Sequence, residues 1–194
     1  MSLRRLLKAH NDRTARTRTP GAAAFALACI LAPALVQAQT PVPHVRPETG
    51  TLRALTAQAS ARSPIVHTLI DRLDRSDVIV YVRHRIFGPV MIDGRIGLLS
   101  TVGQHRYLVI ELACDRSELV QMATLGHELH HALEIAGDAT VVDARTLIRF
   151  YMRIGAPANP MGTVMTFETQ AAADTGARVR HELLTPLTRS ANGS

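Results

Sequence analysis

Apolar positions recur along this chain at two different periods. Leu52, Leu55, Ile65, Leu69, Ile70 and Leu73 return at helical spacing, which predicts one or two helices ending near Asp74, before Ser76-Asp77 breaks the pattern. Three runs of β-branched and aliphatic residues follow: DVIVYVRHRIF (77–87), RIGLLSTV (95–102) and RYLVIELA (106–113). The last two are separated only by Gly103-Gln104-His105, a hairpin-length connection. His84 and His105 lie in or beside these runs and read as surface or edge-strand histidines.

Helical patterning then resumes. Asp115 suits an N-cap with Glu118 three residues on, and Gly137 suits the stop. A second helix is expected from Val142 to Ile154. A Pro/Gly loop spans 155–162, Thr163 to Thr166 reads as extended, and a last helix runs from about Glu168 to Leu184. Helices, a small antiparallel or mixed sheet, then three more helices make an α+β domain.

The ends of the chain read differently. Residues 1–38 have the form of a signal peptide: a basic start, the apolar run GAAAFALACILAPALV, and Val36-Gln37-Ala38 as a small-x-small cleavage pattern leaving Gln39 first. The competing reading is an uncleaved anchor, so membrane attachment depends on whether the leader is cut. The run is shorter than the roughly 20 residues a spanning helix needs, and Pro33 interrupts it. Residues 39–50 (QTPVPHVRPETG) read as a flexible arm, 51–188 as one domain and 189–194 as a disordered tail.

Charge changes meaning once the leader is set aside. The 194-residue chain carries 22 Lys plus Arg against 16 Asp plus Glu, a net +6. The leader holds six of those bases and one acid, so 16 arginines against 15 acids remain. The expectation is an exported, periplasmic or secreted protein with no nucleic-acid partner. Cys114 is the one cysteine beyond the leader, which excludes an internal disulfide and a C-x-x-C zinc knuckle.

The candidate chemistry lies in TLGHELHHALEIAGD (124–138), where His127, Glu128 and His131 make H-E-x-x-H. This composition yields the pattern by chance in roughly one chain in seventy, so context has to decide. At about 100° per residue, His127 and His131 share one narrow arc with Val120 and Glu134. Leu119, Met122, Leu125, Leu129, Ala132 and Leu133 fill the opposite side. Imidazoles one turn apart can both reach one Zn²⁺ at about 2 Å. Glu128, about 100° round from His127, can take a proton from water that the metal acidifies. His130 is expected to make only an i,i+4 contact with Glu134. Glu134 lies about 10 Å along the axis from His127 and is expected to hydrogen-bond to a ligand histidine or to substrate.

Two ligands are too few for zinc. Glu168 is the preferred third, because FETQAAADTGA (167–177) surrounds it with small residues that allow helices to approach closely. His181, Asp174 and Asp143 are the alternatives. Tyr151, Tyr107 and His181 are candidate oxyanion donors.

Across roughly residues 94–180, HELHH followed by a downstream Glu168 among small residues resembles the gluzincin branch of zincin-like metallopeptidases. HELHHALEIA and FETQAAA also resemble a group of small exported bacterial proteins. The gluzincin resemblance implies a zincin-like fold with zinc on His127, His131 and Glu168. It further implies Glu128 as general base, a peptide or protein substrate, and an edge strand, RIGLLSTV or RYLVIELA, that aligns the substrate. The chain departs from that pattern after Glu168: Ala172 stands where the family has Asp, and the next acid is Asp174. A different class of function, metal or partner binding on the same fold without catalysis, accounts for the small size of the domain.

Overall fold

The computed structural model describes residues 42–88, 92–158 and 166–185, all within one compact unit spanning Pro41–Ser194. The leader, its cleavage position and the tail beyond 188 lie outside the described residues. No described helix is long and apolar enough to cross a membrane.

The first surprise is in the arm. Val45–Pro47, inside the 39–50 segment expected to be flexible, forms strand β1. It pairs in parallel with the next strand, and Val45 is buried. Pro47 is tolerated because β1 is an outer strand at its end. Two helices follow: α1 (Gly50–Arg62) and α2 (Pro64–Leu73). Ser63 ends one and N-caps the other, with Pro64 at the first helical position, where its missing N–H costs nothing.

Strands β2 (Val78–Arg85), β3 (Gly94–Val102) and β4 (His105–Ala113) match the three apolar runs. Their order in the sheet is β1-β2-β4-β3. β3 turns back through Gly103, at φ +60, so that β4 slots between β2 and β3. That makes β2 and β4 parallel and β3 antiparallel, so the sheet is mixed. Val78, Val80 and Val82 on β2 and Leu108, Ile110 and Leu112 on β4 are fully buried on one face, each worth about 1.5–3 kcal/mol of burial.

The long helix α3 (Glu118–Ala136) lies against that face. Its N-cap is Ser117, not Asp115, and the Ser117 side chain accepts from the Val120 N–H. Gly137 ends it, as expected. His84 also departs from expectation: it sits on an inner strand, its Nε2 donating to Gln121 of α3 at 2.8 Å.

Helix α4 (Ala144–Ile154) starts at Asp143, whose capping box with Thr146 satisfies the first turn. Two-residue strands β5 (Ala156–Pro157) and β6 (Phe167–Glu168) pair antiparallel. Helix α5 (Gln170–Leu184) then packs on α3. Small residues set the α3–α5 approach. A Cβ on Gly126 would stand 2.8 Å from buried Val179, and one on Gly176 would stand 3.1 Å from the His127 Cβ. The result is a mixed α/β fold with five helices and a small mixed sheet among the described residues.

Candidate metal centre

His127, Glu128 and His131 project from the middle of α3, which packs against the sheet and against α2 and α5. The back of that helix is locked by Leu125, Leu129, Ala132 and Ile135, each at 0 % exposure, so the imidazoles stand on a rigid base. Ligand-capable atoms of His127, Glu128 and His131 lie within 4.8 Å of one another. The two rings meet edge to face, with centroids 4.9 Å apart.

Glu168 arrives from a direction the sequence reading had slightly wrong. It does not open α5; it is the last residue of β6, and Thr169 is the N-cap. Pairing with Ala156 holds Glu168 extended. Its carboxylate then reaches both histidines, Oε2 lying 3.3 Å from His127 Nε2 and Oε1 3.5 Å from His131 Nε2. Both separations exceed the usual 2.7–2.9 Å of a charge-assisted hydrogen bond. The carboxylate thus faces both ring nitrogens without a short direct bond to either, a spacing that a shared metal ion would account for.

Behind the histidines runs a chain of hydrogen bonds. His131 Nδ1 donates to Glu134 Oε2 at 2.7 Å. A carboxylate can only accept, so the proton sits on Nδ1 and Nε2 faces Glu168. Thr169 Oγ1 donates to Glu134 Oε1 at 2.6 Å and accepts from the Ala172 N–H at 3.1 Å. One threonine thus caps α5 and ties its start to the residue that orients His131. His130 lies to the side, 3.7 Å from Glu134 and 3.0 Å from the Thr175 hydroxyl.

The electrostatics separate the two glutamates. Burial pushes the Glu128 carboxyl above its ordinary range, against the pull of both histidines. Burial also opposes charge on Glu168, but the facing His127 and His131 rings outweigh it and hold that carboxyl down at about 2. For His131 burial disfavours the charged ring, yet its hydrogen bond to Glu134 and the nearby Glu168 carboxylate raise it to about 9. Glu168 is therefore an anion ready to ligate, while Glu128 is a carboxyl poised to exchange a proton.

The site opens into a cleft of about 740 Å³ between the free edge of β3 and helix α4. Tyr151 and Phe167 stack within it, and Tyr151 meets His131 edge to face at 5.4 Å. Burial keeps the Tyr151 phenol protonated, and its hydroxyl lies 3.4 Å from the His131 carbonyl. A second hollow of about 430 Å³ continues past His127 and Glu128 on the other side, lined by small residues of α3 and α5.

The other residues singled out from sequence are elsewhere. Asp143 is used as the α4 cap, and Asp174 pairs with Gln170 on the exposed side of α5. Neither Tyr107, stacked on Tyr81, nor His181 is among the residues lining either hollow. Of the two strands considered, RIGLLSTV is at the edge and RYLVIELA is interior. Sequence reasoning missed Thr169 and the group formed by Arg83, Arg95 and Glu111, all beside the site. The lone acid in the apolar run RYLVIELA was the available signal for the second. No protein-family model, curated protein or solved structure matches the chain.

Proposed function

We propose that this chain is an exported, zinc-dependent peptidase of zincin-like, gluzincin type, with zinc held by His127, His131 and Glu168. The observation that carries the reading is the Glu168 carboxylate, which presents one oxygen to the Nε2 of each motif histidine at 3.3 and 3.5 Å. Two nitrogens and a carboxylate, one histidine oriented from behind by Glu134, form a donor set suited to zinc that leaves a position for water. Zinc bound there supplies Lewis acidity, which acidifies water and polarises a carbonyl. The leader supports export.

The protein's own groups do the rest. Glu128, beside the histidines and raised by burial, accepts the proton of the attacking water and passes it to the leaving amine. Tyr151 is the one described tyrosine lining the cleft, and its protonated hydroxyl steadies the developing oxyanion. The outer edge of β3, unpaired among the described residues, offers backbone N–H and C=O groups to an extended peptide. Gly94 keeps that edge close to the base: a Cβ there would stand 3.3 Å from Glu128 Oε1.

The test is hydrolysis of a mixed peptide library by zinc-loaded protein, read by mass spectrometry. Wild type should cleave, and Glu128→Gln should keep its zinc while losing about 10²–10⁴-fold in rate. Zinc-loaded wild type no faster than Glu128→Gln would end the peptidase reading and leave metal binding without catalysis.

A further inference from the structure

The face of the sheet turned away from α3 carries a charge arrangement that the zinc chemistry does not use. Glu111 on β4 stands opposite Arg83 on β2 and opposite Arg95 on β3. Three guanidinium groups close on this single carboxylate. Arg83 Nε and Nη2 donate to Oε1 at 2.9 and 2.6 Å, Arg85 Nη1 to Oε1 at 3.0 Å, and Arg95 Nε to Oε2 at 2.5 Å. Burial opposes charge on Glu111, but these donors hold its carboxyl below the ordinary range.

A structural carboxylate does not need this much. One arginine already satisfies Oε1 through two N–H groups, and four bonds fill the acceptor sites of a carboxylate. Three cations against one anion leave a surplus of two positive charges. Five of the nine guanidinium nitrogens have no hydrogen-bond partner among the described residues. The arginine side chains stay 40 %, 46 % and 32 % exposed over a glutamate that is 3 % exposed. Arg95 is further steadied over the Phe87 ring at 5.6 Å. The cations are thus held rigidly and open to solvent, as recognition of an anion requires.

Their position relates them to the metal centre. Arg83, Arg95 and Glu111 line the same cleft as His127, Glu128, His131 and Glu168. Four consecutive β3 residues, Gly94 to Gly97, also line it. Successive strand residues face opposite sides, so a cleft touching all four follows the free edge of the strand. An extended peptide on that edge alternates in the same way: some side chains point toward α3 and the intervening ones toward the arginines.

We propose that Arg83 and Arg95, braced by Arg85 on Glu111, form a subsite for a carboxylate of the substrate, so that this cleft selects acidic peptides. The inference rests on the peptidase reading of the same cleft. It assigns the substrate class, peptides bearing Asp or Glu at a position that faces away from α3, or ending in a free carboxylate there.

The experiment separates binding from turnover. Unstructured, end-blocked nonapeptides carrying one Glu at each position in turn, their Gln twins, and versions with a free C-terminus are titrated into zinc-loaded Glu128→Gln protein by calorimetry. At one or more positions the Glu peptide should bind at least tenfold tighter than its Gln twin, and 0.3 M salt should reduce the preference. Arg95→Gln should abolish the preference without unfolding the protein, because Arg83 and Arg85 still hold Glu111; Arg83→Gln is the second variant. A preference confined to free C-termini identifies the terminal carboxylate as the recognised group. Equal binding of Glu, Gln, blocked and free peptides overturns the subsite, and so does a preference that survives both arginine variants. Cleavage by wild type without an acidic preference sinks the subsite alone. An acidic preference in binding with no cleavage by wild type sinks the peptidase reading alone.

Discussion

Substituting Gly176 with alanine should pull stability and metal affinity in opposite directions. Gly176 lies inside α5, where glycine costs about 1 kcal/mol relative to alanine. An added Cβ would stand 3.1 Å from the His127 Cβ and 3.3 Å from its Nδ1. Those contacts are tight enough to displace the imidazole by a few tenths of an ångström, and metal sites tolerate about 0.2 Å in ligand position. The cost should therefore appear at the metal: zinc affinity about tenfold weaker, or roughly 1.4 kcal/mol. Urea denaturation of chelator-treated protein should give a stability equal to wild type or up to about 1 kcal/mol higher. Zinc affinity is read by competition with a chromophoric chelator. A Gly176→Ala protein that binds zinc as tightly as wild type would refute the idea that α5 fixes His127 for a metal.

Four further outcomes follow from the same geometry. Glu134→Gln removes the anionic acceptor of the His131 Nδ1 proton and should weaken zinc binding by about 10–100-fold with little loss of fold; unchanged affinity would contradict the orienting role. The His131 ring, ordinarily near 6.5, is raised to about 9 in the folded protein, so its stabilisation is complete below pH 6.5 and lost as pH rises to 9. At 1.36 kcal/mol per pH unit that gap is about 3 kcal/mol; metal-free protein equally stable in urea at pH 6 and 9 would refute it. Zinc competes with the same proton, so apparent affinity should climb between those pH values. Arg106, 3 % exposed, pairs with Asp77 and donates to the carbonyls of Ile135, Ala136, Asp138 and Val141 at the end of α3. Arg106→Met should cost about 3–5 kcal/mol by thermal or urea unfolding, and a loss below about 1 kcal/mol would be inconsistent with these bonds carrying the α3 terminus.

The helices and strands were legible where period and punctuation agreed. Ser76-Asp77 ends the first helical stretch, Gly137 ends α3, and the β-branched runs are strands, because each signal acts within a few residues. Pairing was less legible. The β3–β4 hairpin pairs antiparallel, as its short connection implied, but the parallel pairing of β2 with β4, and not with β3, joins strands that are not consecutive in sequence, and no local signal announces it. β1 hid in a Pro-rich arm because three residues at an outer edge need little β-propensity once Val45 is buried. At the site, H-E-x-x-H was visible because α3 supplies all three groups from one turn of helix. Glu168 was found by composition, but its place in β6 depends on pairing with Ala156, a residue distant in sequence. Thr169 and Glu111 were missed for a related reason: a threonine before a helix and one acid in a strand acquire meaning only from the partners that folding brings to them.

Zinc per chain is the most direct measurement. Purified wild type, His131→Ala, Glu168→Ala and Glu128→Gln would be equilibrated with zinc, freed of excess and measured by elemental mass spectrometry, with circular dichroism to confirm folding. The geometry predicts one zinc in wild type and in Glu128→Gln, and loss from His131→Ala and Glu168→Ala. Folded wild type that holds no zinc would contradict the metal centre itself, and full retention in Glu168→Ala would remove Glu168 from the ligand set.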